Sequence, residues 1–334
     1  MMEQKEALCQ PAHATESRAL RDRVGMYIQA RDTVDTIAKI REAEAAGVQQ
    51  VWMATEYAGR ADVLTAFAAA AARTERIRLG SAVIPTYPRH PLVMAQQALA
   101  VHDVAPGRLR LGVGSSHRFY VEGIYGLQQT SPLSHLKEYL QVMRELLWEG
   151  SVKYDGTFFH AAYTLPRTAR VPLMMSAMGL KAFRLAGEIS DGAITSTSPL
   201  PYLRDLALPA LRAGAEAVGH PTPPVVALVS VALSTNTEAV FVTIRQQVQR
   251  MIHIDAYARM FTQAGFAKAV AGDEADLDAL ARSLVISGDE ATVRQHIQEW
   301  LASGLDELLL SLVPIVDAES ERQQLLHLIG SLDA

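Results

Sequence analysis

Short apolar runs alternate with helical segments along almost the whole chain. The clearest example has an apolar run at Ile77–Ile84, a helical pattern at residues 91–103 and a second apolar run at Leu109–Val113. Pro91 suits the first turn of that helix, and Pro106 follows its end. A strand, a crossover helix and a second strand make a β-α-β unit, whose two strands lie parallel.

Eight such strands are predicted in all, and helices separate them. They are Val24–Gln29, Val48–Met53, Ile77–Ile84, Leu109–Val113, Val171–Ala177, Gly192–Thr195, Val225–Leu233 and Leu305–Val313. This alternation predicts an α/β fold of the (β/α)₈ type, a TIM barrel. An open, doubly wound sheet is the alternative, because periodicity alone does not separate the two. Eight strands over about 310 residues favour the closed barrel.

Two regions interrupt the alternation. After strand 4, residues 150–170 carry a hairpin pattern around Asp155-Gly156, so we expect an insertion there. Between strands 7 and 8, residues 237–283 have a helical pattern throughout and form an extended helical region. Since no linker divides them, residues 23–334 are expected to form a single domain. Residues 1–22 are expected to be a flexible N-terminal extension.

Composition excludes several classes of protein. A net charge of −5 without a basic stripe gives no reason to expect nucleic-acid binding. The single cysteine, Cys9, provides neither a disulfide framework nor a cysteine metal site. No pair of histidines or carboxylates has metal-ligand spacing, so no metal site is predicted. The absence of a long apolar run and of a signal peptide indicates no membrane partner and a cytoplasmic location.

Ionisable side chains follow two of the predicted strands. In a barrel, functional residues gather in the loops after the strands. Glu56 follows strand 2 and His117 follows strand 4, and both types transfer protons. Taken singly, a surface glutamate and a hydrogen-bonded loop histidine are the more common roles. Two such residues on one rim favour a functional site.

A glycine-containing turn follows strand 5. Ser176-Ala-Met-Gly179 joins that strand to a helix beginning near Leu180, where backbone N–H groups can bind a phosphate. An ordinary strand-to-helix turn explains the segment equally well. Gly112-Val-Gly114 lacks the third glycine of a dinucleotide fingerprint. We interpret it instead as small residues against which a flat molecule can lie.

Several motifs, in this order, resemble the bacterial luciferase-like monooxygenase superfamily. They are Thr74-Glu-Arg-Ile-Arg-Leu-Gly80, Arg89-His-Pro91, Pro106-Gly-Arg-Leu-Arg-Leu-Gly-Val-Gly114, Arg184-Leu-Ala-Gly-Glu188 and Ser190-Asp-Gly192. The similarity is collinear over residues 24–312. It implies a dimeric (β/α)₈ barrel that binds FMN or the deazaflavin coenzyme F420. Gly112-Val-Gly-Ser-Ser-His117 and Val121-Glu-Gly-Ile-Tyr-Gly126 resemble the deazaflavin-dependent oxidoreductases, which favours coenzyme F420.

The resemblance also implies where the cofactor lies. Relatives carry a cis peptide in a bulge of strand 3 that supports the central ring, and the matching bond here is Ala82–Val83. Their cofactor phosphate sits on the turn matched by Ala177-Met178-Gly179, where Met178 replaces one of two common glycines. The cofactor-binding residues implied in this way are Glu56, Ala82, Val83, His117, Ser176, Ala177, Met178, Gly179, Thr195 and Ser196.

Catalytic roles carry over only in part. In related sugar-phosphate dehydrogenases a histidine follows strand 2 and a glutamate follows strand 4, whereas this chain has Glu56 and His117, the two types exchanged. A proton donor is retained, but that substrate is not implied. His117 is therefore the first candidate for proton transfer and Glu56 the second, with Tyr57 and Tyr120 on the substrate side.

The sequence therefore predicts an oxidoreductase that transfers a hydride between coenzyme F420 and a small organic substrate, as a homodimer. One alternative is an FMN-dependent monooxygenase that uses reduced FMN and O₂, supplied by a flavin reductase. Another is a non-catalytic flavin-binding protein, because fold does not fix function. A cofactor-free aldolase or isomerase is disfavoured, since no lysine stands at a strand end and no acidic metal cluster is present.

Overall fold

The computed structural model of the chain describes residues 18–55 and 61–333. Its strands are β1 (Val24–Tyr27), β2 (Gln50–Met53), β3 (Arg78–Ser81), β4 (Ile84–Pro85), β5 (Leu109–Gly114), β6 (Ser151–Asp155), β7 (His160–Thr164), β8 (Leu173–Ser176), β9 (Gly192–Thr195), β10 (Val225–Ala232), β11 (Val285–Ser287) and β12 (Glu307–Leu312). Parallel pairing runs in the order β1-β2-β3-β5-β8-β9-β10-β12 and returns to β1. The predicted closed (β/α)₈ barrel is confirmed, and the open sheet is not formed.

The helices surround this barrel. They are α1 (Leu20–Arg23), α2 (Thr33–Ala45), α3 (Val63–Ala71), α4 (Pro91–Val104), α5 (Arg118–Gly123), α6 (Pro132–Arg144), α7 (Leu180–Ile189), α8 (Leu200–Tyr202), α9 (Leu208–Ala217), α10 (Thr237–Met251), α11 (Asp255–Gln263), α12 (Ala267–Val270), α13 (Glu274–Ser283), α14 (Glu290–Ala302) and α15 (Ala318–Gly330). Within the described ranges, every helix is too short or too polar to cross a bilayer.

Local sequence signals explain where several helices begin. The Asp62 carboxylate accepts a hydrogen bond from the Thr65 amide at 2.9 Å, and Asp289 caps α14 in the same way. Each cap satisfies an N–H group that has no partner within the helix. Pro91 is the first residue of α4, where a missing N–H costs nothing. These helix starts therefore follow from sequence alone.

Between α6 and β8 the chain forms an antiparallel hairpin of its own. β6 pairs with β7 around a turn that begins at Asp155-Gly156, as predicted. The Glu138 carboxylate of α6 accepts hydrogen bonds from the amides of Thr157 and Phe158 in this turn, at 3.0 and 2.8 Å. The hairpin is therefore anchored on the helix that precedes it.

Two short elements were not predicted. α5 lies inside residues 115–131, a segment with no predicted element, and β11 follows the predicted helical region at residues 237–283. β11 pairs with the last residues of β10, whereas β9 pairs with the first residues of β10. Both elements lie next to the C-terminal ends of barrel strands, so they add to the rim where a site is expected.

The last residues of the predicted N-terminal extension, 18–22, contact the barrel. α1 already begins at Leu20, whose amide donates to the Asp333 carboxylate at 2.9 Å. Arg18 pairs with the buried Glu307 of β12 at 3.2 Å. These contacts join residues 18–22 to the folded barrel.

The N-terminal end of the barrel is filled by a polar network. Glu307, only 2% exposed, accepts hydrogen bonds from Arg110 at 2.6 Å and from Gln50 at 2.9 Å. The Arg110 guanidinium also lies 4.9 Å from the Trp52 ring centroid, inside the barrel. Gly80 has no side chain there because a Cβ would come within 2.2 Å of that ring. Among the described residues, this network occupies the N-terminal end of the barrel, so a site is expected at the C-terminal end.

Candidate functional site

The bulge between β3 and β4 lies at the C-terminal end of the barrel. Its Ala82–Val83 peptide bond is cis, as the family resemblance implies. Ser81 ties the bulge to β5, since its hydroxyl accepts from the Gly112 amide at 2.8 Å and donates to the Gly112 carbonyl at 2.9 Å. The Ala82 amide donates to Met53 of β2 at 2.8 Å. Both neighbouring strands therefore hold the bulge in place.

Gly114 brings two predicted cofactor residues together. A Cβ on Gly114 would lie 2.4 Å from the Ser176 hydroxyl oxygen and 2.8 Å from a methyl carbon of Val83. Only glycine allows these side chains from β8 and from the bulge to approach so closely. The small residues of β5 thus allow the protein's own side chains to pack closely, and the interpretation that a flat molecule lies against them stays a prediction.

Thr55 contributes a polar atom beside these residues. Its amide donates to the Val83 carbonyl at 3.2 Å, which places the residue next to the bulge. Its hydroxyl oxygen is buried and has no hydrogen-bond partner among the described residues. Buried hydroxyl groups are normally paired, so this one is unusual among the described hydroxyl groups.

The turn before α7 is open on its outer side. The Tyr202 hydroxyl donates to the Met178 carbonyl at 2.7 Å, and the Ala177 amide donates to Ile194 at 2.8 Å. Among the described residues, no side chain caps α7, and no atom lies within 4 Å of where a Cβ on Gly179 would be. An anion can approach the N–H groups of this helix start, whose dipole favours negative charge.

His117 lies on the same rim, immediately before α5. Its ring packs against Tyr257 of α11 and Tyr120 of α5, with centroids 5.8 and 6.1 Å away. Burial among these rings lowers the pKa of His117 below its ordinary value. The imidazole is therefore neutral near pH 7, with one ring nitrogen able to accept a proton.

Tyr257 joins His117 to the loop after β9. Its hydroxyl lies 2.5 Å from the Ser196 hydroxyl, and burial raises the tyrosine pKa, so the phenol stays protonated. Ser198 donates to the Ser196 carbonyl at 2.8 Å and lies 3.3 Å from the Thr195 hydroxyl. The loops after β5 and β9 and the helical region between β10 and β11 thus meet at one point.

The structure brings most predicted site residues onto this rim. Val83 and Ser176 both lie close to Gly114. His117 packs against Tyr120 and against Tyr257, whose hydroxyl lies next to that of Ser196. Glu56 and Tyr57 lie outside the described residues. Among the described residues, no three His, Cys, Asp or Glu side chains are grouped so that they could hold a metal ion.

Tyr257 has no predicted role in the sequence. Tyr257 is 61 residues from Ser196 along the chain. The available sequence signal for Tyr257 is that it lies four residues from Phe261 in α11. This spacing predicts that both side chains share an apolar helix face, but it does not indicate a functional role.

Comparison with known proteins agrees with this architecture. The family model described as luciferase-like monooxygenase matches residues 17–307. F420-dependent glucose-6-phosphate dehydrogenase from Nocardia farcinica is 28% identical over 254 residues, which are 72% of this chain and 75% of that protein.

Two solved structures share the fold. An F420-dependent secondary alcohol dehydrogenase in complex with an F420-acetone adduct superposes with a TM-score of 0.76 at 19% identity, covering 93% of this chain and 99% of that one. The oxygenating constituent of 3,6-diketocamphane monooxygenase, encoded by the CAM plasmid of Pseudomonas putida and in complex with FMN, has a TM-score of 0.70 at 19% identity, covering 92% and 96%. The chain therefore belongs to the luciferase-like monooxygenase family, and it is an oxidoreductase.

Proposed function

We propose that this enzyme transfers a hydride between coenzyme F420 and a small organic substrate, with His117 as the group that exchanges the proton. The observation that carries the proposal is a neutral, half-buried histidine on the same rim as the open Gly179 turn. The resemblance of 112–126 to deazaflavin-dependent enzymes and the named activity of the Nocardia relative support this coenzyme.

The residues present fit such a coenzyme. The open space at Gly179 and the uncapped start of α7 suit its phosphate. We propose that the bulge at Ala82–Val83, which the family resemblance assigns to the central ring, supports the ring of the coenzyme here. We propose that Ala82, Ala177, Met178, Thr195 and Ser196 complete this cofactor-binding set.

The coenzyme, when bound, supplies the hydride acceptor or donor. His117 takes the proton that the substrate releases as its C–H bond is broken, and returns a proton in the reverse direction. The Tyr257 ring packs against the imidazole, with the ring centroids 5.8 Å apart. Ser196 fixes the Tyr257 ring through the bond between their hydroxyl groups. Glu56 remains the second proposed proton donor.

Anaerobic turnover with oxidised coenzyme F420 tests the proposal. We expect His117→Asn to lower kcat by about 100-fold or more, the range of general-base catalysis. Affinity for the coenzyme, measured by fluorescence quenching, is expected to change less than about twofold because the phosphate turn is untouched. His220→Asn, at an exposed position before β10, is the matched control. Equal kcat in both variants would refute the role of His117.

A second candidate is oxygen-dependent monooxygenation with FMN, and the FMN complex of the Pseudomonas neighbour favours testing it. Reduced FMN would then come from a partner flavin reductase. Rates with reduced FMN under O₂ that exceed the anaerobic rates with coenzyme F420 would establish this reaction instead.

We also propose a homodimer. On α4, Val93 and Val104 are 46% and 43% exposed, and their spacing of three helical turns places them on one face. An exposed apolar helix face of this kind suits contact with a second copy. Light scattering coupled to size-exclusion chromatography gives the mass that tests this.

A further inference from the structure

The segment that follows β5 carries His117 and closes on itself. It leaves the barrel at the end of β5 and returns just before α6. The Gln129 side chain joins its two ends, because the amide nitrogen donates to the Ser115 carbonyl at 2.8 Å and to the Ser116 carbonyl at 3.0 Å. A compact surface loop whose ends meet in this way is an Ω-loop, a type that is frequently functional.

Gln129 is part of the packed structure. It is only 8% exposed, whereas the neighbouring Gln128 is exposed. The Gln129 backbone amide donates to the Glu122 carboxylate at 3.2 Å, and the Tyr87 hydroxyl donates to the Thr130 carbonyl at 2.7 Å. Tyr87 lies just after β4, which pairs with β5. The closing end of the loop is therefore tied both to α5 and to the strand beside β5.

The two carbonyls that Gln129 binds lie on either side of the Ser116 backbone torsions. Among the described residues other than glycine, only Ser116 and Ser131 have a positive φ, 62° and 42°. A residue of this type persists in the left-handed region only where its surroundings enforce it. One nitrogen that binds the carbonyls before and after Ser116 restricts both its φ and its ψ. Gln129 thus supplies a contact that enforces the turn at Ser116.

His117 comes directly after this turn and is also fixed on its other side. Its carbonyl accepts hydrogen bonds from the Tyr120 and Val121 amides at 2.9 and 3.1 Å. Val121 is completely buried, so α5 is anchored in the protein. With its backbone held before and after, His117 keeps its ring against Tyr257 and Tyr120.

Resting on the proposed function, in which His117 exchanges the proton, we propose that Gln129 is a positioning residue for this reaction. Its amide holds Ser116 in the left-handed conformation, and this turn directs the imidazole towards Tyr257 instead of towards solvent. A general base must lie within hydrogen-bond reach of the proton that it takes, and a misplacement of about 1 Å costs about 100-fold in rate. Gln129 acts through His117 and exchanges no proton itself.

The placement of His117 can be measured without coenzyme or substrate. We would follow the titration of the His117 Cε1–H signal by NMR, with His117→Asn identifying the signal. Gln129→Met is the test variant, because methionine fills similar space but has no N–H group to donate. Gln128→Met makes the same chemical change at the adjacent exposed position and is the matched control.

Charged groups on the helices around His117 are exposed in the described part of the chain. Arg118 and Glu122 of α5 lie 3.8 Å from each other, and Asp255 and Arg259 of α11 face solvent. Burial lowers the pKa of His117. Loss of the Gln129 bonds should expose the ring and therefore raise this pKa towards its ordinary value.

We expect this rise in Gln129→Met and an unchanged titration in Gln128→Met. A residue that only stabilises the fold would lower the midpoint of urea denaturation without moving the His117 titration. A wild-type titration in folded Gln129→Met would therefore contradict the positioning role. If this variant does not fold, Gln129→Ala removes the same donors with less bulk, and the same two outcomes decide.

Turnover then tests the link to catalysis. Anaerobic rates are measured with coenzyme F420 and either glucose 6-phosphate or 2-propanol, whichever the wild type oxidises faster. We expect Gln129→Met to lower kcat about tenfold, with KM and coenzyme affinity within about twofold, because the base is displaced while the binding residues remain. The fall in rate on the acidic side should move to higher pH, since His117 must be neutral to accept the proton.

The two hypotheses fail in different ways. Equal kcat in His117→Asn and the wild type would overturn the proposed function, while the NMR titration still decides whether Gln129 places the ring. A large loss in His117→Asn together with wild-type kcat in Gln129→Met would overturn the inference about Gln129 and leave the role of His117 intact.

Discussion

At Gly179 the backbone has a φ of −92°, a conformation that any residue adopts, and there is open space where a Cβ would lie. Alanine should therefore fit, and the free energy of unfolding should change by less than about 0.5 kcal/mol. The added methyl group would occupy the approach path of the cofactor phosphate. We expect Gly179→Ala to weaken coenzyme F420 binding about tenfold, or about 1.4 kcal/mol. Fluorescence titration and urea denaturation measure both, and unchanged affinity would contradict the phosphate site.

His135 of α6 is buried in an aromatic cluster, with its ring stacked 4.0 Å from that of Tyr87. Burial lowers its pKa to about 4. Between pH 7 and pH 5 the unfolded chain therefore binds this proton and the native protein does not, so stability falls as pH falls.

We expect the wild-type protein to lose about 2 kcal/mol more than His135→Phe between these pH values. Phenylalanine preserves the stack without a titrating group. Urea denaturation at both pH values gives the difference, and parallel losses in the two proteins would refute the burial of a neutral His135.

At the scale of single elements, two aspartate caps differ in their surroundings. Asp62 caps α3 and also forms an ion pair with Arg89 at 2.5 Å, whereas the exposed Asp289 only caps α14. We expect Asp62→Ala to lose about 1 kcal/mol more stability than Asp289→Ala, because Arg89 then loses its partner. Urea denaturation of both variants measures this. Equal losses would show that the ion pair adds nothing.

The barrel elements could be predicted because apolar runs and helix caps are local signals. The strand at Gly192–Thr195 is confirmed as predicted, and Asp62 and Asp289 are of the residue type that favours the start of a helix. α5 was missed because six residues within a polar, glycine-containing segment show no helical period. β11, only three residues long, directly follows α13 and is formed by its pairing with β10, a contact that sequence does not reveal.

The same difference between local signals and long-range contacts applies to the candidate site. His117 and Gly179 were predicted as site residues because each closely follows a strand, a position that carries function in a barrel. Tyr257 was missed because its role depends on which face of α11 meets the rim. That face is fixed by contacts with Ser196 and His117, residues far away in the sequence.

Across the whole molecule, the polar network and the proposed site lie at opposite ends of the barrel. The Arg110 and Arg18 charges lower the pKa of the buried Glu307 carboxyl, against the opposing effect of burial. We expect Glu307→Gln to lose about 3 kcal/mol of stability, because Arg110 is left without its counter-charge.

Glu299→Gln, on an exposed part of α14, should change stability little. Both variants should bind coenzyme F420 as the wild type does. Loss of coenzyme affinity in a folded Glu307→Gln protein would contradict the separation of the two ends.

The central claim is that this barrel binds coenzyme F420 at the rim that carries Gly179, the bulge and His117. Parallel titration of the purified protein with coenzyme F420 and with FMN, both followed by fluorescence quenching, tests it most directly. We expect saturable binding of coenzyme F420 with a Kd at least tenfold below that for FMN, and weaker binding in Gly179→Ala. Tighter binding of FMN, or no saturable binding of coenzyme F420, would contradict the claim.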